Sequence, residues 1–212
     1  MNNVRSLLGK AKEDLLSLII VSVAFCVALS IRIRPADSVF LPNGFVRFSN
    51  DPLYHMRMVE VLLHNYPQGM FYNPLTNYPQ GAFIHFGPLF DHMIALTTLV
   101  IGLGNPSTEL LNTIGAYFPT VLGALLVFPV YYLGKYLKDR KTGVIAAFLI
   151  SIAPGQFLNR SMSIFTDHHV AEALFSTLFI LFFMLAMIQA KKGNLSIKML
   201  QQKDKQAAKP LI

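Results

Sequence analysis

The sequence predicts an all-α, polytopic membrane helix bundle of about four transmembrane helices, with further helices in a long first external loop. Three observations predict it. Of the 212 residues, 53% are hydrophobic and only 14% are charged, and the mean hydropathy is +0.47. Four apolar segments, 15–33, 112–134, 143–158 and 170–190, approach the ~20 residues that cross a bilayer core. Lysines fall only outside those segments: Lys10 and Lys12, then Lys135, Lys138 and Lys141, then Lys191 through Lys209.

Basic residues collect on the cytoplasmic side of membrane proteins. Segments 1–14, 135–142 and 191–212 are therefore expected in the cytoplasm. The helices at 15–33 and 143–158 then lead out, and those at 112–134 and 170–190 lead back. The first is read as a signal anchor, because no small-residue cleavage site precedes Arg32-Ile33-Arg34. This parity leaves no full crossing for the apolar stretch 86–103, which is flanked or interrupted by Pro88, Asp91, His92, Gly102, Gly104 and Pro106. It is expected to be an interfacial helix inside an external loop over 34–111; a fifth crossing is the alternative. The protein is expected in the cell membrane, multi-pass, with an active face outside the cytoplasm. The net charge of +7 then reflects orientation, and no nucleic-acid partner is expected. One cysteine, Cys26 inside the first helix, excludes a disulfide framework and a cysteine metal site.

The external loop is punctuated by "LPNG", "YNPLTNYPQG" and "FGP". "NYPQG" occurs twice, at Asn65–Gly69 and Asn77–Gly81, and reads as two similar turns. Tyr66, Phe71, Tyr72 and Tyr78 suit the headgroup level. A loop of this length is ordinarily functional.

Two acidic motifs fall on the expected outer face: "SNDPLYHMR", Ser49–Arg57, and "NRSMSIFTDHH", Asn159–His169. Thr166 or Asp167 is a natural helix cap, and a carboxylate there also faces the positive end of a helix dipole. Asp167 and His169 together offer more, because Asp-x-His at a helix start can aim an oxygen and a nitrogen at one cation. Carboxylate plus imidazole suits Mn²⁺ or Mg²⁺, with Zn²⁺ possible. Asp51 is the candidate third ligand. Its bland reading is a turn leading into a helix with Pro52 in the first position. Arg57 and Arg160 can each face a phosphate; Arg160 can equally be a snorkelling helix-end arginine. Glu172 lies one turn below His169 and can orient its imidazole, or face a partner helix. His55 reads as a packing or surface histidine. Asp91 and His92 point to different helix faces, which argues against a second metal pair.

"SNDPLYHMR" after a first membrane helix, the "GPLFD" stretch and "RSMSIFTDHHVAEA" at a later helix start together resemble the catalytic subunit of oligosaccharyltransferase, in its archaeal, AglB-like form. The resemblance implies a C-type glycosyltransferase fold. It also implies transfer of an oligosaccharide from a dolichyl phosphate or diphosphate carrier to Asn in an acceptor protein bearing Asn-x-Ser/Thr. By the same resemblance, Asp51 binds metal and faces the acceptor amide as a catalytic residue. Asp167 and His169 are the metal-binding pair, and Arg160 is the arginine ahead of it. Family members also carry further membrane helices, a later external acid and a soluble domain with a "WWDYG" motif; this sequence has no Trp. The chain is therefore expected to be a truncated N-terminal part, inactive alone.

Two other classes compete. A small metal-binding transporter or channel subunit would use Asp167, His168 and His169 as a gate. Transporters place polar groups near the midplane, whereas these lie at a helix mouth. A protein mannosyltransferase also uses acids in its first loop, but the Asp-x-His pair argues against it.

Overall fold

The computed structural model describes residues 2–41, 46, 48, 50–85, 87–163 and 165–193. The basic tail expected over 191–212 lies outside the described residues from position 194 onward. The protein is mostly helical. Helix α1 runs Asn2–Ile33 and a single turn, α2, covers Ala36–Val39. Pro35 stands between them; a proline disfavours helical geometry in the residue before it. Helix α3, Asn50–Asn65, opens on Asp51-Pro52. A two-stranded antiparallel hairpin, β1 (Tyr72–Asn73) with β2 (Ala82–Phe83), pairs Tyr72 with Phe83. One "NYPQG" copy precedes β1 and the other lies in the loop between the strands, as like turns. Gln68 N donates to Asn65 O at 2.8 Å and Gln80 N to Asn77 O at 3.1 Å, and both Tyr–Pro bonds are cis.

Helix α4 spans Leu89–Ile101, and α5, Thr108–Leu125, begins at Ser107, whose side chain accepts from Leu110 N at 3.1 Å. One residue, Leu126, separates α5 from α6, Val127–Leu137. Helix α7, Arg140–Ile152, is capped by Asp139, which accepts from Thr142 N at 2.8 Å. A short turn, α8 (Gln156–Asn159), precedes α9, His169–Lys192.

Among the described residues, three segments are long and apolar enough to cross a membrane: Lys12–Val39, Thr108–Leu137 and His169–Lys192. The segment expected as a further crossing, 143–158, is not one continuous helix. Ala153 is extended ahead of Pro154, so α7 stops at 13 residues. At about 1.5 Å per residue it is near 20 Å long, short of a ~30 Å hydrocarbon core.

Two apolar clusters hold the helices. Val21, Ala24 and Ala28 of α1 meet Ala124, Val127, Tyr131 and Ala147. The α6–α7 contact is close because both helices present glycine: a Cβ on Gly134 would lie 2.8 Å from Gly143 Cα. The second cluster sets up the site. Met56, Val59 and Leu62 of α3 and Phe90, Ile94 and Ala95 of α4 pack with Leu111, Val170 and Ala171. This cluster seats the first turns of α3 and α9 side by side.

Candidate active site

Asp51 stands exposed in the first turn of α3, and Asp167 lies buried just ahead of α9. Arg160, at the end of α8, joins them. Its Nη1 donates to Asp51 Oδ2 at 3.3 Å and also to Asp167 Oδ2. Acidic groups more than a hundred positions apart thus converge on one nitrogen. Neither Thr166 nor Asp167 caps α9. Thr166 Oγ1 donates to Gly115 O at 2.8 Å, and His168 occupies the cap position without a capping side-chain hydrogen bond to the helix. The bland reading of Asp167 therefore gives way to a carboxylate engaged in long-range contacts.

His169, half exposed, donates from Nδ1 to Glu172 Oε2 at 2.8 Å and leaves Nε2 3.9 Å from Asp167 Oδ2. A cleft of about 520 Å³ opens here, walled by Phe157, Arg160, His169, Glu172 and Ser176. Arg57 is not brought to this cluster by its described contacts. It donates to Glu60 at 3.0 Å and lines a different cleft.

Behind Asp167 lies a buried chain through His55, which the sequence reads as a packing or surface histidine. His55 Nδ1 donates to Asp91 Oδ1 at 2.7 Å. His55 Nε2 lies 3.1 Å from His168 Nδ1 and 3.8 Å from Asp167 Oδ1. His55 follows Asp51 by four positions, one helical turn, and that spacing was the available signal. His92 goes elsewhere, to the carbonyls of Pro88 and Pro67 at 2.7 and 3.0 Å.

The electrostatics follow from these contacts. Burial alone raises the Asp167 carboxyl, but the Arg160 hydrogen bond and the charges of His169, His168 and Arg160 outweigh it. The group sits below the ordinary carboxylate range. Burial holds His168 below the ordinary histidine value; Asp167 opposes this, and His169 and His55 add to it. Arg160 is pushed up, first by its bond to Asp167 and further by Asp51.

Several donor sets here can hold a metal. Ligating atoms of His55, Asp167 and His168 lie within 4.8 Å of one another, as do those of His168, His169 and Glu172. Asp51, Asp167 and His169 are not such a group among the described residues: Arg160 stands between the two carboxylates, and His169 Nε2 lies 3.9 Å from Asp167 Oδ2. The donors fit a divalent ion, because Asp167 Oδ1 is buried and accepts no hydrogen bond among the described residues.

Residues 15–201 match the family described as "Oligosaccharyl transferase STT3, N-terminal". The chain belongs to the oligosaccharyl transferase STT3 family. It is 36% identical over 182 residues to the dolichyl-phosphooligosaccharide-protein glycotransferase 3 of Archaeoglobus fulgidus, covering 85% of this chain and 20% of the relative. It is 37% identical over 175 residues to the dolichyl-monophosphooligosaccharide-protein glycotransferase AglB of Haloferax volcanii, covering 82% of this chain and 16% of the relative. The chain therefore spans about a fifth or less of the length of these STT3-family relatives. Among solved structures it resembles archaeal AglB from A. fulgidus in complex with an inhibitory peptide and a dolichol-phosphate. The TM-score is 0.78 at 34% identity, covering 89% of this chain and 22% of that one. It also resembles the A. fulgidus oligosaccharyltransferase in complex with Zn and sulfate, with a TM-score of 0.76 at 36% identity, covering 86% of this chain and 23% of that one. Family membership and the three apolar helices found among the described residues support a membrane protein, and the relatives are named as glycotransferases. They lend no support to the transporter reading.

Proposed function

We propose that this chain is the metal-binding N-terminal part of an enzyme that transfers a glycan from a dolichyl phosphate or diphosphate carrier to Asn in Asn-x-Ser/Thr acceptors. The observation that carries this reading is the convergence of Asp51 and Asp167 on one Arg160 nitrogen. Relatives with the same STT3-family region are named as dolichyl-linked glycotransferases.

In this reading Asp51, Asp167 and His169 hold a Mn²⁺ or Mg²⁺ ion. Bound there, a divalent cation stabilises charge developing on the departing lipid phosphate. Glu172 fixes the His169 proton on Nδ1 and leaves Nε2 for the ion. The exposed Asp51 carboxylate also orients the acceptor amide, whose nitrogen is a poor nucleophile until its conjugation is weakened. With an ion taking up the two carboxylates, Arg160 would be free to face the phosphate. Arg57, paired with Glu60 beside a different cleft, stands outside this set of contacts.

The topology that goes with this reading has four crossings and an extracytoplasmic site. Two end contacts support it. At one end Asp14 of α1 accepts from Lys135 Nζ and Arg140 Nε, both at 2.8 Å. At the other end Arg32 of α1 donates to Ser151 O at 3.2 Å and to Ser161 Oγ at 2.9 Å. Helix α7 therefore starts at the Asp14 end and finishes at the Arg32 end, so this short helix and the segment after it make a crossing. Helix α4 then lies at the outer interface beside α3.

The test uses an enzyme carrying the family's remaining segments. Asp51→Ala, Asp167→Ala and His169→Ala should each lower glycan transfer to a sequon peptide by roughly 100-fold or more, the scale of losing one group that stabilises developing charge. Wild-type transfer by all three rejects the site.

A further inference from the structure

The buried side of Asp167 presents donors that the proposed outer site does not use. His55 Nε2, His168 Nδ1 and Asp167 Oδ1 form a triangle with sides of 3.0, 3.1 and 3.8 Å. Donors held about 2.1 Å from one ion, at angles between octahedral and tetrahedral, stand about 3.0–3.4 Å apart. Two sides already have that length, and the third exceeds it by less than about 1 Å.

Asp167 Oδ1 supplies an independent observation. Asp167 is 1% exposed, and Arg160 binds its other oxygen. Oδ1 lies 3.0 Å from His168 Nδ1 yet receives no hydrogen bond from any described residue. Leaving a buried carboxylate oxygen without a donor is costly, and a cation inside the triangle satisfies it.

Asp91 completes the pattern. It accepts from His55 Nδ1 at 2.7 Å and is itself buried on α4. Histidines that ligate metals ordinarily donate their other ring nitrogen to a carboxylate, which fixes the tautomer and the ring orientation. Here that bond makes Nε2 the accepting nitrogen of the ring, 3.1 Å from His168 Nδ1, and a bound ion would take the place of that contact.

We propose that His55, Asp167 and His168 form a second divalent-cation site, deeper than the Asp51–Asp167–His169 set and sharing Asp167 with it. Asp167 turns Oδ1 to the inner ion and Oδ2 to the outer one. Two imidazoles and one carboxylate suit a borderline ion such as Zn²⁺ over Mg²⁺, which selects oxygen donors. The inner ion ties the first turn of α3 to the entry of α9 and so fixes Asp167 for the outer site. The inner site stands on its own contacts and does not require Asp51 or His169 to be ligands.

The wild-type protein in detergent is dialysed against micromolar Zn²⁺ with millimolar Mg²⁺, and retained zinc is measured by elemental mass spectrometry. Zinc should be retained in the presence of Mg²⁺. His55→Ala and His168→Ala should each lower that retention roughly tenfold or more, while Arg57→Ala, outside both donor sets, leaves it unchanged. No retention by the wild type, or wild-type retention by both histidine variants, overturns the inner site. Loss in Asp51→Ala with retention in His55→Ala removes the inner site and leaves the outer one standing. The reverse pattern removes zinc binding from the outer set alone. Zinc-edge X-ray absorption on the wild type keeps the proposal testable if a variant fails to fold. Two imidazole nitrogens per ion support the inner site, and one or none overturns it.

Discussion

Arg32 and Ser161 bind each other in the interior: the guanidinium Nε donates to the hydroxyl at 2.9 Å, across 129 positions of sequence. Arg32 is fully buried. Its Nη1 reaches Ala28 O at 3.0 Å and Ser151 O at 3.2 Å, and the guanidinium lies 5.2 Å over the ring of Phe157. The end of the first helix thus clamps the loop that delivers Arg160 and Asp167.

Removing this clamp should loosen the site from a distance. Arg32→Ala should cost about 2–3 kcal/mol of stability, the range for hydrogen bonds from a charged donor. Arg32→Lys should recover only part of it, because a single ammonium cannot reproduce the planar fork. Thermal unfolding in detergent measures both. Unchanged melting of Arg32→Ala would show that the buried guanidinium holds nothing together.

Acid stability reports on the Arg160–Asp167 pair. The carboxyl of Asp167 is lowered below its ordinary value of 3.8. A lowered carboxylate stabilises the fold fully above the unfolded-state value and loses that contribution as pH falls through the folded-state value. In Arg160→Gln, burial pushes upward with less opposition, so the acid decline of stability should begin at higher pH. Melting temperatures from pH 7 to pH 3, with a chelator present, check this; coincident acid limbs for the two proteins would contradict it.

Helix packing on the far side is tight enough to measure. A Cβ added at Gly143 would lie 2.5 Å from Tyr131 O, whereas one at Gly9 meets nothing within 4 Å. Gly143→Ala should destabilise by about 1–3 kcal/mol through overpacking. Gly9→Ala should be neutral or stabilising by up to about 1 kcal/mol, from helix propensity alone. Equal effects at the two positions would mean that α6 and α7 do not pack at this distance.

Part of the candidate site was readable in the sequence, because Asp51, Arg160 and Asp167, which the structure brings together, lie in two short motifs. The fold that joins them was less readable. An apolar run over 143–158 looks continuous in composition, and only Pro154 marks where α7 stops. The contacts of His55 with Asp91 and of Arg32 with Ser161 span 36 and 129 positions. Apart from its spacing of one helical turn from Asp51, nothing local in the sequence distinguishes such a histidine from a packing residue. The helix-cap reading of Asp167 followed sound local chemistry, but the guanidinium of Arg160 competes better for a buried carboxylate than backbone N–H groups do.

The orientation of the bundle has its own test. With Cys26 replaced by Ser, a cysteine at Gln80 should react with an impermeant maleimide from outside. A cysteine at Lys138 should react only after the membrane is opened. Labelling of both from the same side would break the parity of four crossings.

The central claim is that Asp51 and the Asp167–His169 pair grip one cation at the outer face. Anomalous diffraction from crystals of the Mn²⁺-loaded enzyme tests it most directly. A manganese peak within about 2.5 Å of a carboxylate oxygen of Asp51, one of Asp167 and Nε2 of His169 is the expected result. A peak that excludes Asp51, or none between the two carboxylates while Arg160 still bridges them, would contradict it.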